Sequence, residues 1–231
     1  MNGQLTGRSV LVTGGSSGLG AAVVTAVAKA GGRPLVLDRQ APADGVPWQE
    51  CDLADTRAAE AATRHLAERH GGLDAVVTAA GIDTPGRLAD VPADTWERVV
   101  AVDLLATAAV VRAALPWLER THGTVVTVAS TLGVKAVSDA TAYCAAKFGV
   151  VGFTRALAAE LAGTVNVTLL VPGGMHTAFF DTRDAQYRPG PDAKLNDPAD
   201  TAAAVLFALT QPPGCAVREL VVCAEQETSY P

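Results

Sequence analysis

Thr13-Gly14-Gly15-Ser16-Ser17-Gly18-Leu19-Gly20 decides how this 231-residue chain folds. The octet directly follows a short apolar run, Val10-Leu11-Val12, and opens an Ala/Val-rich segment of helical pattern. Glycines at a strand-to-helix junction let the chain turn tightly and let backbone N–H groups approach a pyrophosphate. The helix that follows presents its positive N-terminal end to the same anion. A glycine-rich octet alone is weak evidence, but its place between strand and helix points to a dinucleotide-binding turn made by Gly14, Ser16, Ser17, Gly18, Leu19 and Gly20.

Outward from that turn, short β-branched runs alternate with longer Ala-rich helical patterns along the whole chain. Strands are expected at 9–13, 34–38, 48–51, 75–78, 124–129, 166–171 and 219–223, and helices at 18–30, 56–69, 93–119, 140–161 and 198–210. Most of the strand segments are near-continuous apolar runs, as parallel strands buried on both faces require. The alternation predicts an α/β fold: a doubly wound, Rossmann-type parallel sheet of about seven strands with helices on both faces. Gly31-Gly32 and Gly71-Gly72 follow two helices where left-handed caps belong, and Asp197-Pro198 opens the last helix in cap-then-proline order. A single domain over 1–231 is expected, since a chain of this length buries about 70% of its surface without disulfide or metal. The segment 178–196 lacks a clear period and reads as a substrate lid, with a merely mobile surface loop as the plainer alternative; 224–231 forms a polar tail.

Composition narrows the function. The net charge is −6 with no Lys/Arg cluster, so nucleic acid is not an expected partner. The most apolar stretch, 104–118, is broken by Arg112 and Pro116 and is shorter than the roughly 20 residues a bilayer span needs. Residues 1–8 lack the basic-then-apolar order of a signal peptide, so a cytoplasmic location is expected. Cys51, Cys144, Cys215 and Cys223 have no C-x-x-C spacing and read as free thiols, and neither they nor the four dispersed histidines suggest a metal site. Charged residues make up only 18% against 49% hydrophobic, which hints that a second subunit covers some surface.

About twenty residues after the glycine turn, the second strand ends in Asp38-Arg39. A carboxylate there accepts both hydrogen bonds of an adenosine ribose diol and repels a 2′-phosphate, which favours NAD over NADP. Arg39 leaves both open, by stacking on adenine or by recruiting that phosphate. Tyr143 and Lys147 stand four apart on one helical face, and Ser130 ends the fifth strand at the sheet edge where ligands bind. Bringing a tyrosine from about 10 to about 7 requires roughly 4 kcal/mol, of which a neighbouring ammonium supplies one to three pKa units' worth. Taken singly, each residue has a bland reading as a helix residue, a solvated charge or a loop hydroxyl.

Together they resemble the single-domain branch of the short-chain dehydrogenase/reductase family over nearly the whole chain. Thr13, Gly14, Gly18 and Gly20 match its T-G-x-x-x-G-x-G motif, and Ser130, Tyr143 and Lys147 match its Ser and Y-x-x-x-K. Pro172-Gly173 with Thr177 is similar to its P-G-x-x-x-T segment at the nicotinamide, and Asp52-Leu53 to the acidic-hydrophobic pair beside the adenine. The resemblance implies that Tyr143 is the general acid/base, that Lys147 depresses its pKa and binds the nicotinamide ribose, and that Ser130 bonds the reacting oxygen. It implies an NAD(P)-dependent oxidoreductase acting on a small secondary alcohol or ketone, working as a homodimer or homotetramer.

Three departures stand out. Thr78-Ala79-Ala80-Gly81 replaces the frequent N-N-A-G, removing a hydrogen bond that braces the sheet unless water supplies it, while Ala80 and Gly81 keep room for the adenosine side. Asp103 stands where the family usually has an asparagine that holds a water linking the lysine to solvent; it is expected to anchor that relay by accepting from the water and from Lys147, holding Lys147 protonated and partly offsetting its pull on Tyr143, or else to be a helix residue with no catalytic part. The V-D-G-G ending is absent, leaving the tail to serve the substrate pocket or a subunit contact. His176 reads first as a solvated loop residue, Cys144 as packing, and Phe179, Phe180 and Tyr187 as signs of a partly apolar substrate. The small residues Ala145, Gly149, Gly152 and Ala156 permit close approach of another helix, and the resemblance implies that the 140–161 helix pairs with its symmetry mate in a two-fold contact. The alternative functions are a catalytically weak dinucleotide-binding sensor or scaffold and, with less room for a substrate region, an isomerase or dehydratase.

Overall fold

The computed structural model describes residues 4–230; the first three residues of the leader reading and Pro231 of the tail lie outside the described residues. Strands β1 (Ser9–Thr13), β2 (Arg33–Asp38), β3 (Trp48–Glu50), β4 (Ala75–Thr78), β5 (Thr124–Val128), β6 (Asn166–Pro172) and β7 (Glu219–Val222) pair in parallel in the spatial order β3-β2-β1-β4-β5-β6-β7. Helices α1 (Gly18–Lys29), α2 (Thr56–Arg69), α3 (Ala93–Val100), α4 (Ala106–Thr121), α5 (Thr141–Glu160) and α6 (Pro198–Leu209) complete the main framework. The expected doubly wound parallel sheet is what forms, with element ends within two residues of expectation apart from the interruption between α3 and α4.

Alternation along each strand divides the core into two layers. Leu11 of β1, with Val76 and Val125, faces Leu66, Leu118 and Leu157 on the α2, α4 and α5 side. Val10 and Val12, with Val77 and Val126, face Val23, Val27 and Val205 on the α1 and α6 side. Both sets are essentially inaccessible to solvent, so a Leu→Ala cut in the first layer costs about 2–5 kcal/mol. The chain order reverses between β1 and β4, and the crevice at the carboxyl ends of these two strands is where an open α/β sheet binds ligands. Gly31 and Gly71 take the left-handed φ expected after α1 and α2, and the Asp197 side chain caps α6 by accepting from the Ala199 N–H.

The expected single helix over 93–119 is interrupted. Residues Ala101–Leu105 form one π-helical turn between α3 and α4, with Val102 and Asp103 turned inward. The wider turn takes in one more residue per hydrogen-bonded ring, which hydrophobic periodicity does not register. The continuous run Ala93–Thr121 is also longer than the 104–118 stretch and meets the length and apolarity of a bilayer span. Its apolar residues, including Val110, Val111, Ala114 and Leu118, are used against the sheet and α2.

Candidate active site

A cavity of about 670 Å³ runs along the carboxyl edge of the sheet. At one end it is lined by Gly14, Ser16, Ser17, Gly18, Leu19, Gly20, Asp38, Arg39, Asp52, Leu53, Ala79, Ala80 and Gly81. The turn is shaped by the absence of side chains: a Cβ on Gly14 would lie 2.8 Å from the Ala80 Cα, and one on Gly20 would collide with the Gly14 carbonyl. Ser17 holds the N-cap position of α1 in extended conformation, yet its side chain makes no cap bond and the first turn has no acidic residue. The helix end is therefore left available to an anion. Asp38 is tied to this turn, its Oδ2 accepting from Ser16 N at 3.0 Å and Ser16 Oγ at 2.7 Å, and its Oδ1 from Gln40 N at 3.1 Å. Thr177 reaches the same turn, its Cγ2 3.4 Å from where a Gly18 Cβ would stand.

Ser130, Tyr143, Lys147, Pro172, Gly173 and Thr177 line the other part of the same cavity. Lys147 Nζ is buried, donates to the Val128 carbonyl at 3.2 Å and lies 3.2 Å from Asp103 Oδ2. It sits 5.5 Å from the Tyr143 ring centroid. Asp103, whose side chain is wholly inaccessible, accepts from the Ile82 N–H at 2.8 Å through Oδ1. Burial pushes the Asp103 carboxyl up against the opposing pull of Lys147; for Lys147 burial is the largest cause and pulls down, but Asp103, Tyr143 and Asp83 together hold it above the ordinary lysine value. Tyr143 is also raised: burial is the largest cause, Asp103 and Asp83 add to it, and Lys147 with the Ser130 hydroxyl pull the other way. The expected lysine pull is present, but it does not overcome burial.

The family description of short chain dehydrogenases matches residues 8–188. The chain belongs to the short-chain dehydrogenase family. It is 34% identical to an uncharacterized oxidoreductase of Staphylococcus aureus strain MW2, over 94% of this chain and 97% of that one. It is 30% identical to a mouse L-fucose dehydrogenase, over 98% of this chain and 91% of the relative. Among solved structures, the fold resembles Thermoplasma acidophilum aldohexose dehydrogenase (TM-score 0.85, 22% identity, 96% of this chain and 94% of that chain). It also resembles a Brucella melitensis 3-ketoacyl-(acyl-carrier-protein) reductase complexed with NADH (TM-score 0.82, 26% identity, 94% and 97%). Family membership and this NADH-bound neighbour support a nicotinamide cofactor, and the side-chain-free glycine cradle fits one.

Within this dehydrogenase, the departures acquire definite surroundings. Across the strands next to Ala79, Thr13 Oγ1 accepts from the Ala80 N–H at 3.1 Å. Thr78 Oγ1 has no hydrogen-bond partner among the described residues. Asp103 is no plain helix residue, since the π turn aims it at Lys147. Asp52 is held by a bidentate pair with Arg98 at 2.9 and 3.0 Å. His176 is exposed and uses its backbone N–H on the Asn196 carbonyl, as a solvated loop histidine would. Tyr187 is no part of the cavity wall; its hydroxyl donates to Asp139 Oδ2 at 3.2 Å. Gly149 is taken by its own chain, because a Cβ there would lie 2.6 Å from a Leu104 methyl. The four cysteines are free, with Cys144 buried in packing.

One feature of the site escaped sequence reasoning. Arg183, from the 178–196 segment, pairs with Asp83 at 2.8 Å and lies 4.9 and 4.6 Å from the Phe179 and Phe180 ring centroids. Of the two roles left open for the tail, the structure brings it to the cavity, through Glu227 and Ser229. Asp83 follows the small-residue stretch after β4, a position that marks it as near the site, whereas no local pattern connects it to Arg183.

Proposed function

We propose that this chain transfers hydride between a nicotinamide cofactor and a secondary alcohol or the matching ketone, with Tyr143 as general acid/base. The observation that carries this is the convergence of Ser130, Tyr143 and Lys147 in one cavity with the glycine turn. The cofactor, when bound, supplies the hydride donor or acceptor. Ser130 orients the reacting oxygen, Tyr143 exchanges the proton with it, and Lys147 stabilises the phenolate that results. A positive charge brought beside Tyr143 opposes the burial that raises its pKa. Asp103 holds Lys147 charged and in place, acting as a positioning residue.

NAD is the expected cofactor, because the Asp38 carboxylate stands ready at the end of β2 where a 2′-phosphate would meet it. We further propose that the chain works as one catalytic domain with 178–196 as its lid, and that copies associate across α5. The contact uses exposed Ala145, Phe148, Gly152 and Ala156 without Gly149. The names of an L-fucose dehydrogenase and an aldohexose dehydrogenase among the similar proteins support an alcohol carbon as the reacting centre.

The test is a panel of alcohols and ketones followed by nicotinamide absorbance, with NAD and NADP side by side. Turnover with a preference for NAD is expected. Tight NADH binding with no turnover on a broad panel would instead favour a sensor or scaffold, a reading motivated by the altered Thr78, Ala79 and Asp103.

A further inference from the structure

Two carboxylates on the cavity wall take no part in the hydride step. Asp83 lies beyond the carboxyl end of β4, and Glu227 lies in the tail beyond β7, folded over the end of β6. Strand β5, which leads into Ser130, sits between β4 and β6, so the two acids approach the reacting centre from opposite sides. The charge of Asp83 reaches it, raising both Tyr143 and Lys147.

Each carboxylate has one oxygen committed and one with spare accepting capacity. Asp83 Oδ2 takes Arg183 Nη2 at 2.8 Å, while Oδ1 has no partner among the described residues in a side chain only 3% exposed. Burial, with Asp103 adding to it, pushes this carboxyl up to about 6 against the pull of Arg183 and the Thr84 N–H. Glu227 Oε1 takes both the N–H and the hydroxyl of Ser229, at 2.9 and 2.7 Å. Its Oε2 takes only a long contact from Gly174 N, at 3.4 Å. The tail is built to hold that oxygen there: Ser229 Oγ is 2.6 Å from Thr131 Oγ1, next to Ser130, and Lys135 Nζ donates to the Thr228 carbonyl at 2.8 Å. Although burial opposes it, the donors on Glu227 keep its carboxyl below the usual range and thus ionised.

An ionised carboxylate only accepts, so the complementary groups on a ligand are donors. An ammonium would face Lys147 and Arg183, which leaves neutral hydroxyls. We propose that Asp83 and Glu227 are paired acceptor arms of the substrate site, and that the substrate is a polyhydroxylated alcohol with hydroxyls on the carbons flanking the reacting one. This rests on the oxidoreductase reading above. Asp83 Oδ1 lies beneath the lid, so substrate engages it as Arg183 moves.

The test compares kcat/KM of the full chain for aldohexoses and cyclitols, their singly deoxygenated analogues, and cyclohexanol, with NADH affinity measured in parallel. Each flanking hydroxyl is expected to raise kcat/KM about tenfold or more, the range of a charge-assisted hydrogen bond. Glu227→Ala should collapse that preference at one flanking position, mainly through KM, with partial rescue in Glu227→Gln; Asp83→Asn should do so at the other. Cyclohexanol turned over as well as the polyols, or variants that slow hydroxylated and deoxygenated substrates in equal proportion, would overturn the two arms while leaving the oxidoreductase reading intact. Absence of turnover on every alcohol despite NADH binding would overturn both.

Discussion

At the end of the cavity that we propose takes the cofactor, the groups on offer are backbone N–H groups and a carboxylate close in sequence; at the proposed substrate end they are side chains that meet across the chain. Ser16 and Asp38 are 22 residues apart, whereas Arg183 and Asp83 are separated by 100 and Ser229 and Thr131 by 98. The first end is shaped by a strand–turn–helix junction and leaves little room for change, as the contacts awaiting a Cβ at Gly14 and Gly20 demonstrate. The second is assembled from the 178–196 segment and a tail that carry little regular structure. One end can therefore stay constant while the other selects a substrate.

The sharpest division comes from Tyr143→Phe. The hydroxyl belongs to the chemistry and the ring to packing against Phe179, 5.8 Å away, so turnover should fall roughly 10²–10⁴-fold with NADH affinity kept. Loss of NADH binding in step with turnover would erase the distinction between the two ends.

Next in size is the electrostatic cost at the substrate end. Burial raises Asp83 from 3.8 to about 6, so the folded chain holds that proton more tightly than the unfolded chain. The resulting stability is fully present below about 4 and lost as pH rises through about 6, a loss of roughly 3 kcal/mol. Urea denaturation of wild type and Asp83→Asn should show this slope in wild type and its loss in the variant. Parallel pH dependences would contradict it.

At the cofactor end, Asp38→Ala removes the charge that meets a 2′-phosphate. The preference for NAD over NADP, read as a ratio of kcat/KM, should fall about tenfold or more. An unchanged ratio would give the selection to another group, with Arg39 the neighbouring candidate.

The smallest effect tests the link between the ends. Asp103 raises Tyr143 and Lys147 together, so Asp103→Asn lowers both, and the Tyr143 limb of the pH–rate profile for alcohol oxidation should move to lower pH. Superimposable profiles with equal rates would reduce Asp103 to packing.

The same division explains what could be read from the residues alone. The strand segments, the glycine turn, Asp38 and the Ser130–Tyr143–Lys147 set follow from local patterns: a buried run, a glycine spacing, a helical four-residue step. The π turn at Asp103 was invisible because one added residue leaves an Ala-, Val- and Leu-rich helix pattern looking continuous. The Arg183–Asp83 pair and the anchoring of Glu227 depend on loop paths that no period encodes. Gly149 misled for a related reason: a small residue on a helix face marks close approach without telling which neighbour approaches, and here it is Leu104 of the same chain.

Hydride transfer itself is open to direct measurement. A polyhydroxylated alcohol carrying deuterium on the reacting carbon, incubated with the protein and NAD, should yield reduced cofactor that has gained one deuterium by mass spectrometry. Reduced cofactor without the label, or a cofactor that binds and leaves unreduced across the whole panel, would contradict the account.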